Sequence, residues 1–174
     1  MTSAAHDKVL VLVRHAKAEQ NLHLDDHDRR LTERGQRDAL AVGAWLKSQS
    51  VVADLVICST SMRTRQTWDG AMRGGARTEF VEYRKGVYHG SYGTVLETIR
   101  DDAADLDTVV VVGHAPSIPT LASILSDGEG NDEAHAAMAD GFPTSGIAVL
   151  RYAGDWAGLG PGTAELSAFH VARG

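Results

Sequence analysis

The chain has 174 residues, 43% of them hydrophobic and 23% charged, which suits one globular domain over residues 1–174 and leaves little room for a second. A formal net charge of -6 argues against nucleic acid and anionic membrane surfaces as partners. The lone cysteine, Cys58, excludes an intramolecular disulfide and a multi-cysteine zinc site.

The start, Met1 to Lys8, shows no basic stretch followed by an apolar one, and no run in the chain is long enough to span a bilayer. A cytoplasmic protein is the expectation. The first strand is Val9-Leu10-Val11-Leu12-Val13, apolar and β-branched enough to be buried on both faces of a parallel sheet. A polar stretch from His23 to Arg30 reads as an exposed loop. Thr32 caps the helix that follows, with Glu33 in its first turn and Ala39, Val42, Gly43 and Leu46 on one face. The second strand is Leu55 to Cys58, and Cys58 is expected to act there as a small buried hydrophobe. A helix starts near Ser61 and ends before Gly74-Gly75. The third strand lies near Thr78 to Val81. A glycine- and tyrosine-rich loop, Gly86 to Gly93, leads into a helix through Leu96 and Ile99. The fourth strand is Thr108 to Val112. Pro116 suits the first turn of a helix carrying Leu121, Ile124 and Leu125. Asp127 to Asp132 reads as an acidic loop. The last two strands, Ile147 to Tyr152 and Ala164 to Val171, are expected to pair antiparallel, with the final one at an edge. The order predicts an α/β fold: a three-layer α/β/α sandwich around a mostly parallel sheet of about six strands.

Chemistry gathers at strand ends, where open α/β sheets place their ligand sites. Arg14-His15-Ala16 follows the first strand, Gly113-His114 follows the fourth, and Ser59 and Arg63 follow the second. Two histidines and two arginines therefore converge on one edge of the sheet. A neutral imidazole can attack phosphorus and carry the phosphoryl group. Fixed cations then hold the charge on the equatorial oxygens. Arginine suits this task because its planar fork stays charged and donates in pairs. Helical spacing puts Arg63 and Arg65 on different faces, so one of them is expected in the site and the other in solvent.

These motifs resemble those of the histidine phosphatase (phosphoglycerate mutase-like) superfamily. Arg14-His15-Ala16 is similar to its Arg-His-Gly signature, Ser59 through Thr67 to its second motif, and Gly113-His114 to its Gly-His motif. Asp28-Arg29-Arg30-Leu31-Thr32-Glu33-Arg34-Gly35 and Phe142-Pro143-Thr144-Ser145-Gly146 are similar to the small SixA-type phosphohistidine phosphatases. The resemblance implies a phosphoglycerate mutase-like fold. It implies that His15 is phosphorylated, that Arg14, Arg63 and His114 bind the phosphoryl group, and that no metal or other cofactor is needed. It also selects Arg63 over Arg65. Ala16 stands where the family usually has glycine.

The acidic general acid that many family members carry after the third strand has no clear counterpart. Glu82 and His89 are the nearest groups. An alkoxide leaving group needs a proton as its bond breaks, and a positioned acid contributes about 10²–10⁴-fold. A phosphohistidine P–N bond is more labile, so the expected substrate is a phosphohistidine-bearing protein. A small-molecule or phosphotyrosine-like phosphatase is the alternative within enzymes, and a phospho-ligand binding module with low turnover the alternative outside them. Inorganic phosphate or sulfate is an expected occupant. His23, Asp25, Asp26, His27 and Asp28 are too irregularly spaced to predict a metal site. The Asp28–Arg30 stretch is a candidate for the site mouth, Lys17 reads as a solvated lysine at the rim, and Thr144 and Ser145 approach from the fifth-strand side. Trp45, Trp68 and Trp156 read as packing residues.

Overall fold

The structure, a computed structural model, describes residues 7–174, so Met1 to His6 at the chain start lie outside the described residues. Seven strands form one sheet in the order β3-β2-β4-β1-β6-β7-β5. They are β1 (Lys8–Arg14), β2 (Val52–Ser59), β3 (Arg77–Arg84), β4 (Thr108–Gly113), β5 (Ser126–Gly130), β6 (Gly146–Tyr152) and β7 (Ala164–Val171). The helices are α1 (Glu33–Ser48), α2 (Met62–Gly74), α3 (Lys85–His89), α4 (Tyr92–Ala103), α5 (Ser117–Leu125) and α6 (Asp132–Asp140). β3, β2, β4 and β1 run parallel, and β6 is antiparallel to both β1 and β7.

Alternate strand residues feed two cores, as a three-layer sandwich requires. Leu10, Leu12, Ile57, Val109 and Val111 pack under α4 and α5. Val11, Val13, Val56, Cys58, Val110 and Val112 pack under α1 and α2. Burial on both faces is why these strands are apolar throughout. Gly43 lets α1 and α2 touch at backbone distance, since a Cβ there would run into the Ala71 carbonyl. Thr32 caps α1 as expected, its hydroxyl accepting from the Gly35 amide at 3.0 Å. Trp68 and Trp156 are buried packing residues, and Trp45 stacks on His170.

Three expectations need correction. The acidic Asp127–Asp132 stretch is not a loop: it is most of β5, paired parallel to β7, and the start of α6. The sheet therefore has seven strands, and β7 is an inner strand between β6 and β5. The Gly86–Gly93 segment is mostly helical, holding all but the first residue of the short helix α3 and the first two residues of α4.

Candidate active site

The register of the three central strands builds the site. Arg14 lies opposite Gly113 across the β1–β4 pair, and the His15 amide donates to the Gly113 carbonyl at 3.0 Å. His15 and His114 thus emerge side by side, with ring centroids 5.3 Å apart. On the other side of β4, Cys58 is opposite Val112, so Ser59 ends β2 next to His114. Ser61 caps α2 by accepting from the Thr64 amide, which turns Arg63 inward. Thr67 accepts from the Ala16 amide at 2.9 Å and donates to the Arg63 carbonyl at 2.7 Å, tying α2 to the turn after β1. Ala16 takes the usual glycine's place without cost in space, because its methyl packs with Leu31 and Ala39.

Arg14, His15, Arg63 and His114 line one cleft of about 520 Å³ with Lys17, Gln20, Arg29 and Thr144. The four predicted residues are therefore brought together. Arg65 is not with them: it donates to the Thr60 carbonyl at 2.8 Å and stacks on the Tyr83 ring at 4.0 Å. Lys17 stands exposed at the rim, and of the Asp28–Arg30 stretch it is Arg29 that reaches the mouth. Thr144 lines the cleft, while the Ser145 amide supports it from below through the Arg14 and His15 carbonyls. A larger hollow of about 670 Å³ lies beyond Arg14 against Phe142 and Phe169, but it contains neither His15 nor His114.

Hydrogen bonds assign the imidazole nitrogens. His15 Nδ1 donates to the Ala16 carbonyl at 2.7 Å, which leaves the Nε2 lone pair for chemistry. Burial, reinforced by the Arg63 and Arg14 charges, lowers the His15 pKa to about 4, so the ring is neutral at pH 7. The Ser59 hydroxyl meets His114 Nε2 at 2.8 Å. Burial, with His15 and Arg63 nearby, lowers the His114 pKa to about 3. The Ser59 oxygen already accepts from the Ser61 amide at 3.3 Å, an arrangement that favours its hydroxyl donating to His114 Nε2 and a neutral His114 carrying its proton on Nδ1. His114 Nδ1, Arg14 Nε and Arg63 Nε are all buried without a protein partner. Three donors from three elements are thus left for an anion, since buried polar groups of this kind ordinarily find partners.

Asp26 was legible only as part of a polar loop. Its backbone carbonyl accepts from Arg63 at 2.7 Å and its carboxylate from Arg63 at 3.0 Å and Tyr88 at 2.8 Å. Arg29 completes the group at 3.0 Å. Partial burial raises the Asp26 pKa, but the Tyr88 and Arg63 hydrogen bonds prevail and hold it at about 2. Asp26 is therefore a permanent anion that balances the arginines. In the same loop, His27 bonds the Thr60 hydroxyl at 2.9 Å. The two candidate acids are not in the cleft. Glu82 pairs with Arg84 on β3, and His89 ends α3 with its ring against Tyr88. Asp26 and Tyr88 were missed as site residues, and the sequence marks Ser59 only by its place at the end of an apolar strand run.

Residues 10–91 match the model of the histidine phosphatase superfamily, branch 1. An uncharacterised protein of Mycobacterium tuberculosis is 42% identical over 92% of this chain and 100% of its own length. A structure described as a candidate phosphohistidine phosphatase SixA from Nakamurella multipartitia is 35% identical, with a TM-score of 0.80 over 98% of this chain and 99% of that one. A second such candidate, from Agrobacterium tumefaciens, is 29% identical, with a TM-score of 0.75 over 94% of this chain and 97% of that one.

Proposed function

The chain belongs to the histidine phosphatase superfamily, and we propose that it removes phosphate from protein phosphohistidine through a phosphorylated His15. The family supports phosphatase activity, and the two SixA-like neighbours support the substrate class. The observation that carries the reading is the bond from His15 Nδ1 to the Ala16 carbonyl, which orients a neutral ring with Nε2 as the nucleophile.

In the first step the Nε2 lone pair bonds to phosphorus while the bond from phosphorus to the donor's ring nitrogen breaks. The electron pair stays with that nitrogen, which takes a proton from solvent. Arg14, Arg63 and the Nδ1–H of His114 hold the equatorial oxygens. The Ala16 carbonyl stabilises the positive charge that develops on the His15 ring. In the second step a water oxygen bonds to phosphorus, the P–Nε2 bond breaks, the pair returns to Nε2, and the water's proton passes to solvent. No side chain in this scheme need give a proton to the leaving group. That fits a cleft whose lining, among the described residues, includes no Asp or Glu. Asp26 at the edge, with its pKa near 2, is no proton donor at neutral pH.

The test is phosphate release from a phosphohistidine protein and from p-nitrophenyl phosphate, side by side, with His15→Ala as control and with chelator present. Strong preference for phosphohistidine, surviving chelator and lost in the variant, is the expected result. Comparable turnover of simple monoesters would replace this reading with a general phosphomonoesterase. Anion binding without release from any donor would make the protein a binding module.

A further inference from the structure

A second hollow, of about 240 Å³, adjoins the cleft and shares His114 and Ala115 with it. Tyr88, His89, Tyr92, Pro116 and Thr120 are among its other lining residues. The two spaces differ in charge. The cleft carries Arg14, Lys17, Arg29 and Arg63, whereas the hollow is lined by no Arg, Lys, Asp or Glu. The first therefore suits a phosphoryl group and the second an uncharged one. The volume is below the roughly 300–1,000 Å³ of pockets that enclose drug-sized ligands, and leaves room for about one ring.

The wall is held in place by the phosphate side itself. Tyr88 donates its hydroxyl to the Asp26 carboxylate at 2.8 Å, and the same carboxylate pairs with Arg63 at 3.0 Å. The Tyr88 ring stands edge-on to His114, centroids 5.6 Å apart, and against His89 at 4.4 Å. Gly90 permits the tight passage from α3 to α4 behind this wall, because a Cβ there would strike the Gly86 carbonyl and Thr94.

We propose that this hollow is the leaving-group subsite and that it takes a single uncharged aromatic or heteroaromatic ring attached to the phosphoryl group. The proposal rests on the phosphatase reading above, in which that ring is the imidazole of phosphohistidine. Tyrosine faces and edges attract rings in tilted geometries, an effect of about threefold to tenfold in affinity. A donor with a second anionic group would find no Arg or Lys in the hollow to receive it.

Non-hydrolysable phosphonates test this without turnover. Binding of phenylphosphonate and methylphosphonate to the full chain is measured by calorimetry at a pH where both are dianions. Phenylphosphonate is expected to bind about threefold to tenfold more tightly. In Tyr92→Ala that advantage should collapse while methylphosphonate binding is kept, which also shows that the variant is folded. Equal affinities in the unaltered protein, or an advantage that survives Tyr92→Ala, would overturn the subsite. Failure of the phosphatase reading would look different: no phosphate release, with the phosphonate preference intact.

Discussion

Each imidazole of the site has one nitrogen committed to a fixed partner and one left for chemistry. Ser59 is the smallest of the groups responsible. Without its hydroxyl, His114 can place its proton on either nitrogen, and only the Nδ1–H form donates to a phosphoryl oxygen while neutral. Ser59→Ala is expected to lower kcat on the order of tenfold, less than the roughly 10²–10³ for deleting an oxyanion donor outright. Nitrogen-15 NMR of His114 should show the Nδ1–H tautomer in the unaltered protein and a mixture in the variant. Unchanged tautomer populations would remove Ser59 from the mechanism. Asp26 is the counterpart for charge, since Arg14, Arg29 and Arg63 share one small region and need an anion among them before substrate arrives.

Among the elements, α2 decides which arginine works. Its Ser61 cap and the Thr67 tie to Ala16 fix the helix so that Arg63 enters the cleft and Arg65 lies over Tyr83. Arg63→Ala should reduce kcat/KM by about 10²-fold or more, as expected for a charge-stabilising donor, and Arg65→Ala by a few-fold at most. Equal losses would mean that the geometry of α2 misassigns the two. Helix α1 matters through its close approach to the same turn. A Cβ at Gly35 would meet the Lys17 carbonyl, two residues from His15, whereas one at Gly43 would meet Ala71 far from the cleft lining. Both substitutions to Ala should destabilise by about 1–3 kcal/mol on denaturant unfolding. Only Gly35→Ala should also disturb turnover in the fraction that remains folded.

For the whole molecule, the two buried histidines link stability to pH. His15 and His114 are neutral in the folded protein down to about 4 and about 3, while the unfolded chain binds protons there from about 6.5 downward. The unfolded state therefore holds more protons through that window, and stability must rise with pH across it and level off above. Thermal unfolding should show Tm falling as the pH drops from about 6.5 to about 4. Inorganic phosphate at neutral pH should raise Tm, by about 2.7 kcal/mol of stabilisation at a hundred times its Kd. His15→Asn should flatten the acid slope. An unchanged slope would show that other groups carry it.

What the sequence determined by itself is what short range encodes. Five-residue apolar runs dictate strands buried on both faces, and Arg14-His15 and Gly113-His114 sit directly at the ends of two such runs. Thr32 and Ser61 announce their helices because a cap acts within three residues. The tertiary structure alone decided the rest. β5 and the start of α6 lie in a polar stretch with almost nothing to bury: Ala134 is the buried residue of α6, and β5 is held by its pairing with β7. No hydrophobic period betrays such elements. The Asp26–Tyr88 bond joins residues 62 positions apart, and the Ser59–His114 bond joins residues 55 apart. Hydrogen bonds between distant loops and strand ends follow from sheet order and register, which no local pattern of residue types specifies.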